Sequence, residues 1–172
     1  MRKFAGLAAL AAVLACGGAN AQQVNVKIGV LSDMSPISNK RTDQYGGSLE
    51  NRLRFPLSIA RAVRTVVPKT VVLGARITGS DWREGGLTPD DAVAISRALK
   101  GEGIDFICIS SGGVAADIRN PTVPGYNVPI AARVKREANI PTRTVGLIVR
   151  PEHAEDIVAK GEADMVLNDG RS

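Results

Sequence analysis

The chain has 172 residues, of which 44% are hydrophobic, 23% charged and 3% aromatic. These proportions exclude a disordered or fibrous chain, and they fit one globular domain with an aliphatic core, as in helices packed around a parallel sheet. The formal net charge is +5, or +3 without the basic residues Arg2 and Lys3, and no run of Lys or Arg alternates with aromatic residues, so nucleic acid is not an expected partner.

The first 21 residues, "MRKFAGLAALAAVLACGGANA", have the pattern of a signal peptide: a basic start, an apolar run and a small-residue ending. The apolar run over residues 4–15 is shorter than the about 20 residues that a membrane span requires, so no stable membrane span is expected. Lipid attachment at Cys16 stays open as an alternative. The protein is expected to be periplasmic or secreted if the leader is used, and otherwise cytoplasmic.

Removal of the leader would leave Cys108 as the one cysteine of the chain, so no intramolecular disulfide is expected. Cys108 lies in the apolar run "IDFICIS" and has no basic neighbour in sequence. We therefore expect a buried, inert thiol.

Residues 22–34 form a strand-like segment, because Val24, Val26, Ile28 and Val30 alternate with other residues. Together with the leader, "VKIGVLSDMS" resembles the start of the periplasmic binding proteins of branched-chain amino-acid transporters. This resemblance covers only residues 1–35.

The next segment predicts a turn and a helix. Gly46 and Gly47 suit a tight turn, and Ser48 suits an N-cap. Pro56 predicts a break in the helix near residue 55 and a fresh start after it. The helix is predicted to carry one apolar stripe at helical spacing; its members are Phe55, Ile59, Ala62 and Val66.

The rest of the chain alternates between strand and helix. Thr88, Pro89 and Asp91 have the pattern of a capping box with a first-turn proline, and Gly101 or Gly103 would end that helix. The predicted strands cover residues 71–77, 104–110, 143–148 and 163–168, and the helices that follow the first three cover residues 88–100, 128–138 and 151–160. Such alternation predicts an α/β fold with a parallel sheet and right-handed crossovers.

Five segments carry a family resemblance: "SPISNKRTDQYGGSLENRLRF", "ARITGSDWREGG", "GIDFICISSGG", "PGYNVP" and "VGLI". In this order and spacing they resemble the old yellow enzyme family of FMN-dependent NAD(P)H oxidoreductases, in its xenobiotic-reductase branch. The resemblance implies an incomplete TIM (β/α)8 barrel in residues 35–172, with strands five to eight and their helices, since a whole barrel needs about 250 residues. Two open sheet edges would then favour self-association.

The resemblance also implies a cofactor, FMN, with NADPH or NADH as reductant. It places Arg76 against the flavin ring, where a fixed cation stabilises the reduced, anionic ring. Gly146, in "VGLI", would supply a backbone amide to the flavin phosphate. Gly170 and Arg171 are candidates for the same phosphate site, although one extra residue precedes them. The loop at 110–113, "SSGG", is either a plain connection or a wall of the active site.

No catalytic residue is assigned. The family holds its substrate with two histidines, or His and Asn, and protonates it with a tyrosine; these groups lie upstream of the resemblance. The one histidine, His153, is predicted on a solvent-facing helix, and Tyr45 and Tyr126 match structural positions. One histidine and one mature cysteine also make a metal site unexpected.

Two functions stay open from the sequence. The first is an FMN-dependent NAD(P)H oxidoreductase, an ene-reductase or NADPH dehydrogenase, acting on a small-molecule electron acceptor such as an activated alkene. Its activity as a lone chain is doubtful because the substrate-binding and proton-donating groups are not found. The alternative is an exported hybrid, or product of gene rearrangement, with no catalysis of its own.

Overall fold

The computed structural model describes the backbone of Val26–Ile28 and all of residues 42–112 and 120–168. Five strands form one parallel sheet in the order β1-β2-β3-β4-β5. The strands are β1 (Val26–Ile28), β2 (Leu73–Thr78), β3 (Phe106–Ser110), β4 (Thr142–Thr144) and β5 (Met165–Val166). The helices are α1 (Leu49–Val66), α2 (Pro89–Gly101), α3 (Val128–Val134), which continues as a π-helical turn (Lys135–Asn139), and α4 (Pro151–Ala159). The predicted α/β class with a parallel sheet is confirmed.

Strand β1 pairs with the first of the four strands that were predicted after residue 70. It lies parallel to β2, with Val26 opposite Leu73 and Ile28 opposite Ala75. A strand was therefore predicted in the right place, within residues 22–34, and its partner is now known. Among the described strands, β1 and β5 are the two edges of the sheet. The leader, residues 1–21, lies outside the described residues.

The two faces of the sheet differ in composition. On β2, Leu73, Ala75 and Ile77 are buried, whereas Arg76 between them is exposed. The buried face packs against the helices and forms the core, whose largest fully buried side chains include Leu73, Ile95, Ile107, Ile109, Ile148 and Ile157. The opposite face is the one on which Arg76 lies.

Helix α1 runs through Pro56 without the predicted break. Ser48 caps it as predicted, since Ser48 Oγ accepts a hydrogen bond from the Asn51 N–H at 3.2 Å. A proline inside a helix costs about 3 kcal/mol, but Pro56 is buried together with Leu53 and Ala60 on the core-facing side. Burial of this side against the rest of the fold offsets the lost hydrogen bond.

The apolar stripe predicted on α1 does not face the core. Phe55 is 49% exposed and Val66 77% exposed. Two series of apolar residues share helical spacing in this sequence, and the series that contains Leu53 packs on the core. In this rotation of the helix, Arg64 forms an ion pair with Asp105 at 2.8 Å, just before β3.

Helix α2 begins as the sequence predicts. Thr88 Oγ1 accepts from the Asp91 N–H at 3.3 Å, Asp91 Oδ2 accepts from the Thr88 N–H at 2.9 Å, and Pro89 occupies the first turn. Gly103 follows the helix with φ +84°, a left-handed conformation that favours glycine. The capping box and the glycine stop are both confirmed.

Strand β4 is shorter than its prediction over residues 143–148. It covers only Thr142–Thr144, and the chain then leaves the sheet, with Gly146 at φ +124° and Leu147 at φ +54°. An apolar run cannot distinguish a strand from a buried turn that follows it. The residues after β4 therefore belong to the loop at the carboxyl end of this strand.

Across residues 42–112 and 120–168, we find no helix with the length and apolar character that crossing a membrane demands.

Asp164 joins β4 to β5, and its charge makes the fold sensitive to acid. Its Oδ2 accepts from the Thr142 N–H at 2.8 Å, and Lys135 Nζ lies 2.9 Å from its Oδ1. Burial opposes ionisation of the carboxyl, but the hydrogen bonds from Thr142 and Lys135 prevail and lower the pKa of Asp164. The stabilisation is therefore present above the unfolded-state pKa of about 3.9 and disappears as the pH falls through the lower, folded-state value.

We expect Asp164→Asn to be less stable than the wild-type chain at pH 7 and to lose less stability than the wild type on acidification below about pH 5. Urea unfolding at a series of pH values measures both effects. Asp156→Asn, which removes an exposed pair with Lys160, is the matched control and should follow the wild-type profile. Parallel profiles for Asp164→Asn and the wild type would contradict this account.

Candidate functional site

The carboxyl ends of parallel strands meet at one edge of a sheet, and the predicted residue Arg76 lies near that edge on β2. Its Nη2 donates to Ser110 Oγ, the last residue of β3, at 2.7 Å. The guanidinium is exposed. A fixed, accessible cation therefore lies beside the ends of β2 and β3.

A second arginine lies on the same face of the sheet. The register places Arg76 opposite Cys108, and Cys108 opposite Arg143 on β4. The Arg143 guanidinium carbon lies 5.2 Å from the centre of the Phe106 ring, an arrangement that favours the cation. Cys108 is fully buried, as expected, but it has a basic neighbour on each adjoining strand that its sequence surroundings do not reveal.

We call the face of the sheet on which Arg76 lies the inner face. Its described residues carry positive charge and no carboxylate. By alternation along the strands they are Gly74, Arg76, Thr78, Phe106, Cys108, Ser110, Arg143 and Met165. Such a face favours an anionic group over a cation. The described part of the chain also brings together no three His, Cys, Asp or Glu side chains that could hold a metal.

Gly146 follows β4 in a conformation that requires glycine. Besides its φ of +124°, a Cβ at this position would come within 2.8 Å of the Tyr126 ring. Its carbonyl accepts from the Gly125 N–H at 2.7 Å. The backbone at Gly146 is therefore pressed against the segment that leads into α3.

A chain of side-chain hydrogen bonds joins the loops at this edge. Trp82 Nε1 donates to Ser111 Oγ at 2.9 Å, and Ser111 Oγ contacts Asn127 Oδ1 at 2.7 Å. Asn127 Nδ2 donates to the Val145 carbonyl at 3.1 Å. The Trp82 ring also packs edge-on to Tyr126 with centroids 6.2 Å apart. The loops after β2, β3 and β4 are thereby connected.

The sequence predictions identify part of this site. Arg76 and Gly146 lie at the same edge of the sheet, after β2 and β4. Gly170 and Arg171 lie outside the described residues. Ser111 lies in the 110–113 loop, for which a plain connection and a wall of the active site both stayed open. Trp82 and Asn127 were not predicted, although a signal existed for each: Trp82 is the one tryptophan of the chain, and Asn127 is the polar residue that directly precedes an apolar helix.

The sequence predicted that His153 lies on a solvent-facing helix, but its side chain does not face solvent freely. It is half-buried, and its Cε1 lies 3.0 Å from the position that a Cβ on Gly125 would occupy. The absence of a side chain at Gly125 provides the space for the imidazole. His153 therefore packs beneath the loop that contacts Gly146.

Comparisons with known proteins agree with this geometry. The model of the NADH:flavin oxidoreductase / NADH oxidase family matches residues 30–171. A NADPH dehydrogenase of Geobacillus sp. (strain WCH70) is 47% identical over 134 residues, 77% of this chain and 38% of that protein. A NADPH dehydrogenase of Listeria innocua is 37% identical over 134 residues, 78% of this chain and 39% of that protein.

Two solved structures share the fold. A 2-naphthoyl-CoA reductase complex superposes with a TM-score of 0.69 at 30% identity over 77% of this chain and 21% of that one. Morphinone reductase superposes with a TM-score of 0.58 at 25% identity over 78% of this chain and 35% of that one.

The chain belongs to the NADH:flavin oxidoreductase / NADH oxidase family, and the resemblance to old yellow enzymes is confirmed. Family membership implies FMN as cofactor, with NADPH or NADH as reductant. The chain spans less than two fifths of the length of these NADPH dehydrogenases. The comparisons give no support to the likeness of residues 1–35 to binding proteins, and the family match begins within that segment, at residue 30.

We expect Gly146→Ala to destabilise the protein more than Gly161→Ala. Both glycines have positive φ, but nothing lies within 4 Å of a Cβ at Gly161, whereas a Cβ at Gly146 meets Tyr126. Gly161→Ala, at φ +72°, measures the strain of a left-handed backbone alone, about 1 kcal/mol. Gly146→Ala adds the steric overlap and the less accessible φ of +124°, for a total of roughly 2–4 kcal/mol. Urea unfolding gives both values, and equal losses would contradict this expectation.

Proposed function

We propose that the chain binds FMN at the carboxyl edge of its sheet and contributes to the NAD(P)H-dependent reduction of a small-molecule acceptor such as an activated alkene. One observation carries the proposal: Arg76 and Gly146, the two described residues to which the family resemblance gives flavin roles, lie at the same edge of one parallel sheet. The fold and the family agree with it.

The residues present fit a flavin. Arg76 is exposed and oriented by Ser110 Oγ, so its charge is available to the polar edge of the ring. Gly146 has no side chain, so its backbone packs closely on Tyr126 and adopts the positive φ that directs the chain after β4. The inner face around Arg76 is positive, which suits an anionic cofactor.

When bound, FMN would supply the chemistry of hydride transfer between NAD(P)H and the acceptor. Arg76 would hold the ring and stabilise negative charge on it, and the Gly146 amide would bind the phosphate. The family resemblance places the groups that hold the substrate on the strand before β2. That position is filled here by β1, whose sequence VKI holds no histidine or tyrosine. The alternative, an exported hybrid without catalysis, is favoured if FMN does not bind.

Gly170 and Arg171 remain candidates for the phosphate site within this proposal. The sheet would correspond to strands five to eight of a (β/α)8 barrel, with β1 in the place of the fourth. Residues 1–21 would act as a signal peptide and direct the protein to the periplasm or outside the cell; without use of this leader the protein would be cytoplasmic.

The purified chain should bind FMN and turn yellow, and the flavin fluorescence should change on titration. We expect Arg76→Met to weaken FMN binding by roughly 10-fold, because it removes a charged hydrogen-bond donor from the ring. Arg54→Met, at an exposed arginine on α1 paired with Glu50, is the matched control and should bind FMN as the wild type does. A colourless wild-type protein with no FMN affinity would refute the proposed function.

Self-association is also proposed, through the edge strands β1 and β5 and the exposed apolar side of α1, where Phe55 and Val66 lie. We expect sedimentation velocity to show a concentration-dependent oligomer. The pair of substitutions Phe55→Gln and Val66→Lys should shift the distribution towards the monomer if α1 contributes to the contact. A wild-type chain that stays monomeric at all concentrations would contradict this proposal.

A further inference from the structure

The peptide between Val145 and Gly146 is oriented by a side chain from another segment. Asn127, the residue before α3, is fully buried, and its Nδ2 donates to the Val145 carbonyl at 3.1 Å. Its Oδ1 lies 2.7 Å from Ser111 Oγ. Because both ends of the buried amide are used, the side chain has one favourable orientation.

The direction of these hydrogen bonds follows from the Val145 carbonyl. A carbonyl oxygen can only accept, so the Asn127 amide group turns its NH2 to it, and not its oxygen. The Asn127 oxygen is left to accept from Ser111 Oγ. Ser111 Oγ in turn accepts from Trp82 Nε1, because an indole N–H can only donate. Ser111 and Trp82 thus support the orientation that the Val145 carbonyl sets.

This contact determines where the Gly146 N–H points. In a planar trans peptide, the carbonyl and the following N–H point in opposite directions. Since the Val145 carbonyl is directed to Asn127, the Gly146 N–H is directed away from Asn127. The next carbonyl, that of Gly146, is held by the Gly125 N–H at 2.7 Å. Two successive peptides are thus oriented by the segment that precedes α3.

We propose that Asn127 is a positioning residue for the cofactor phosphate: it keeps the Gly146 N–H directed at the phosphate of FMN without touching the phosphate itself. The inference rests on the proposed function and deepens it. Backbone N–H groups bind phosphate only when they point at it. Without the Asn127 contact the Val145 carbonyl loses its hydrogen bond, and a Val145–Gly146 peptide that rotates presents a carbonyl oxygen that repels the phosphate.

The test uses Asn127→Asp, which retains an acceptor for Ser111 and removes the donor to Val145. The dissociation constants of FMN and of riboflavin, which lacks the phosphate, are measured on the full chain by flavin fluorescence. We expect the affinity for FMN to fall about 10-fold and that for riboflavin to change less than about twofold. A general loss of structure would lower both affinities by the same factor, and that outcome in a folded variant overturns the inference.

Ser96→Ala is the matched control, since Ser96 is a buried hydroxyl that donates to the Ala92 carbonyl within α2. It should leave the ratio of the two affinities unchanged. If Asn127→Asp does not fold, Ser111→Ala replaces it. That variant removes the hydrogen bond that holds the Asn127 side-chain oxygen, so the amide is less firmly oriented, and we expect it to weaken FMN binding roughly threefold while riboflavin binding is retained. An unchanged ratio in Ser111→Ala then overturns the inference.

A wild-type chain that binds neither flavin would refute the proposed function, and inorganic phosphate then decides the positioning role. In that case the amide resonance of Gly146 should shift on titration of the wild-type chain with phosphate. The shift should be absent in Asn127→Asp, or in Ser111→Ala where the Asp variant does not fold. No shift in the wild-type chain, or an equal shift in the variant, overturns the inference.

Discussion

The parallel register of β2, β3 and β4 is the constraint on which the site depends. It brings Arg76, Cys108 and Arg143 into one row on the inner face, and it places the loops that follow these strands at one edge. Residues far apart in sequence, such as Trp82 and Asn127, can then form a continuous set of hydrogen bonds. A shift of one residue in β2 or β4 would turn the arginine of that strand towards the helices, where its charge would be buried without a partner.

Much of the fold could be predicted because local chemistry determines it. The Thr88–Asp91 capping box and the left-handed Gly103 depend on neighbouring backbone groups alone, so the sequence around them is sufficient. Helix α1 shows the limit of such reasoning. Two apolar series share its helical spacing, and the choice between them depends on contacts such as the Arg64–Asp105 ion pair, whose members lie 41 positions apart in the chain.

The site was predictable only where a family resemblance supplied roles. Arg76 and Gly146 were named in that way, and the structure places both at the carboxyl edge. The roles of Asn127 and Ser111 could not be predicted, because a buried amide and a hydroxyl acquire meaning only from the groups around them. Arg143 was not predicted for a related reason: its position opposite Cys108 and over the Phe106 ring depends on the pairing of β3 with β4.

The position of Trp82 has a practical consequence. The chain contains one tryptophan, and its indole lies at the loop edge, bonded to Ser111 and in contact with Tyr126. Ultraviolet emission from indole therefore originates at a single point of the molecule, beside the proposed cofactor site. Trp82 is therefore an intrinsic fluorescent probe that should respond when a light-absorbing ring occupies the site, so no extrinsic label is needed to follow binding.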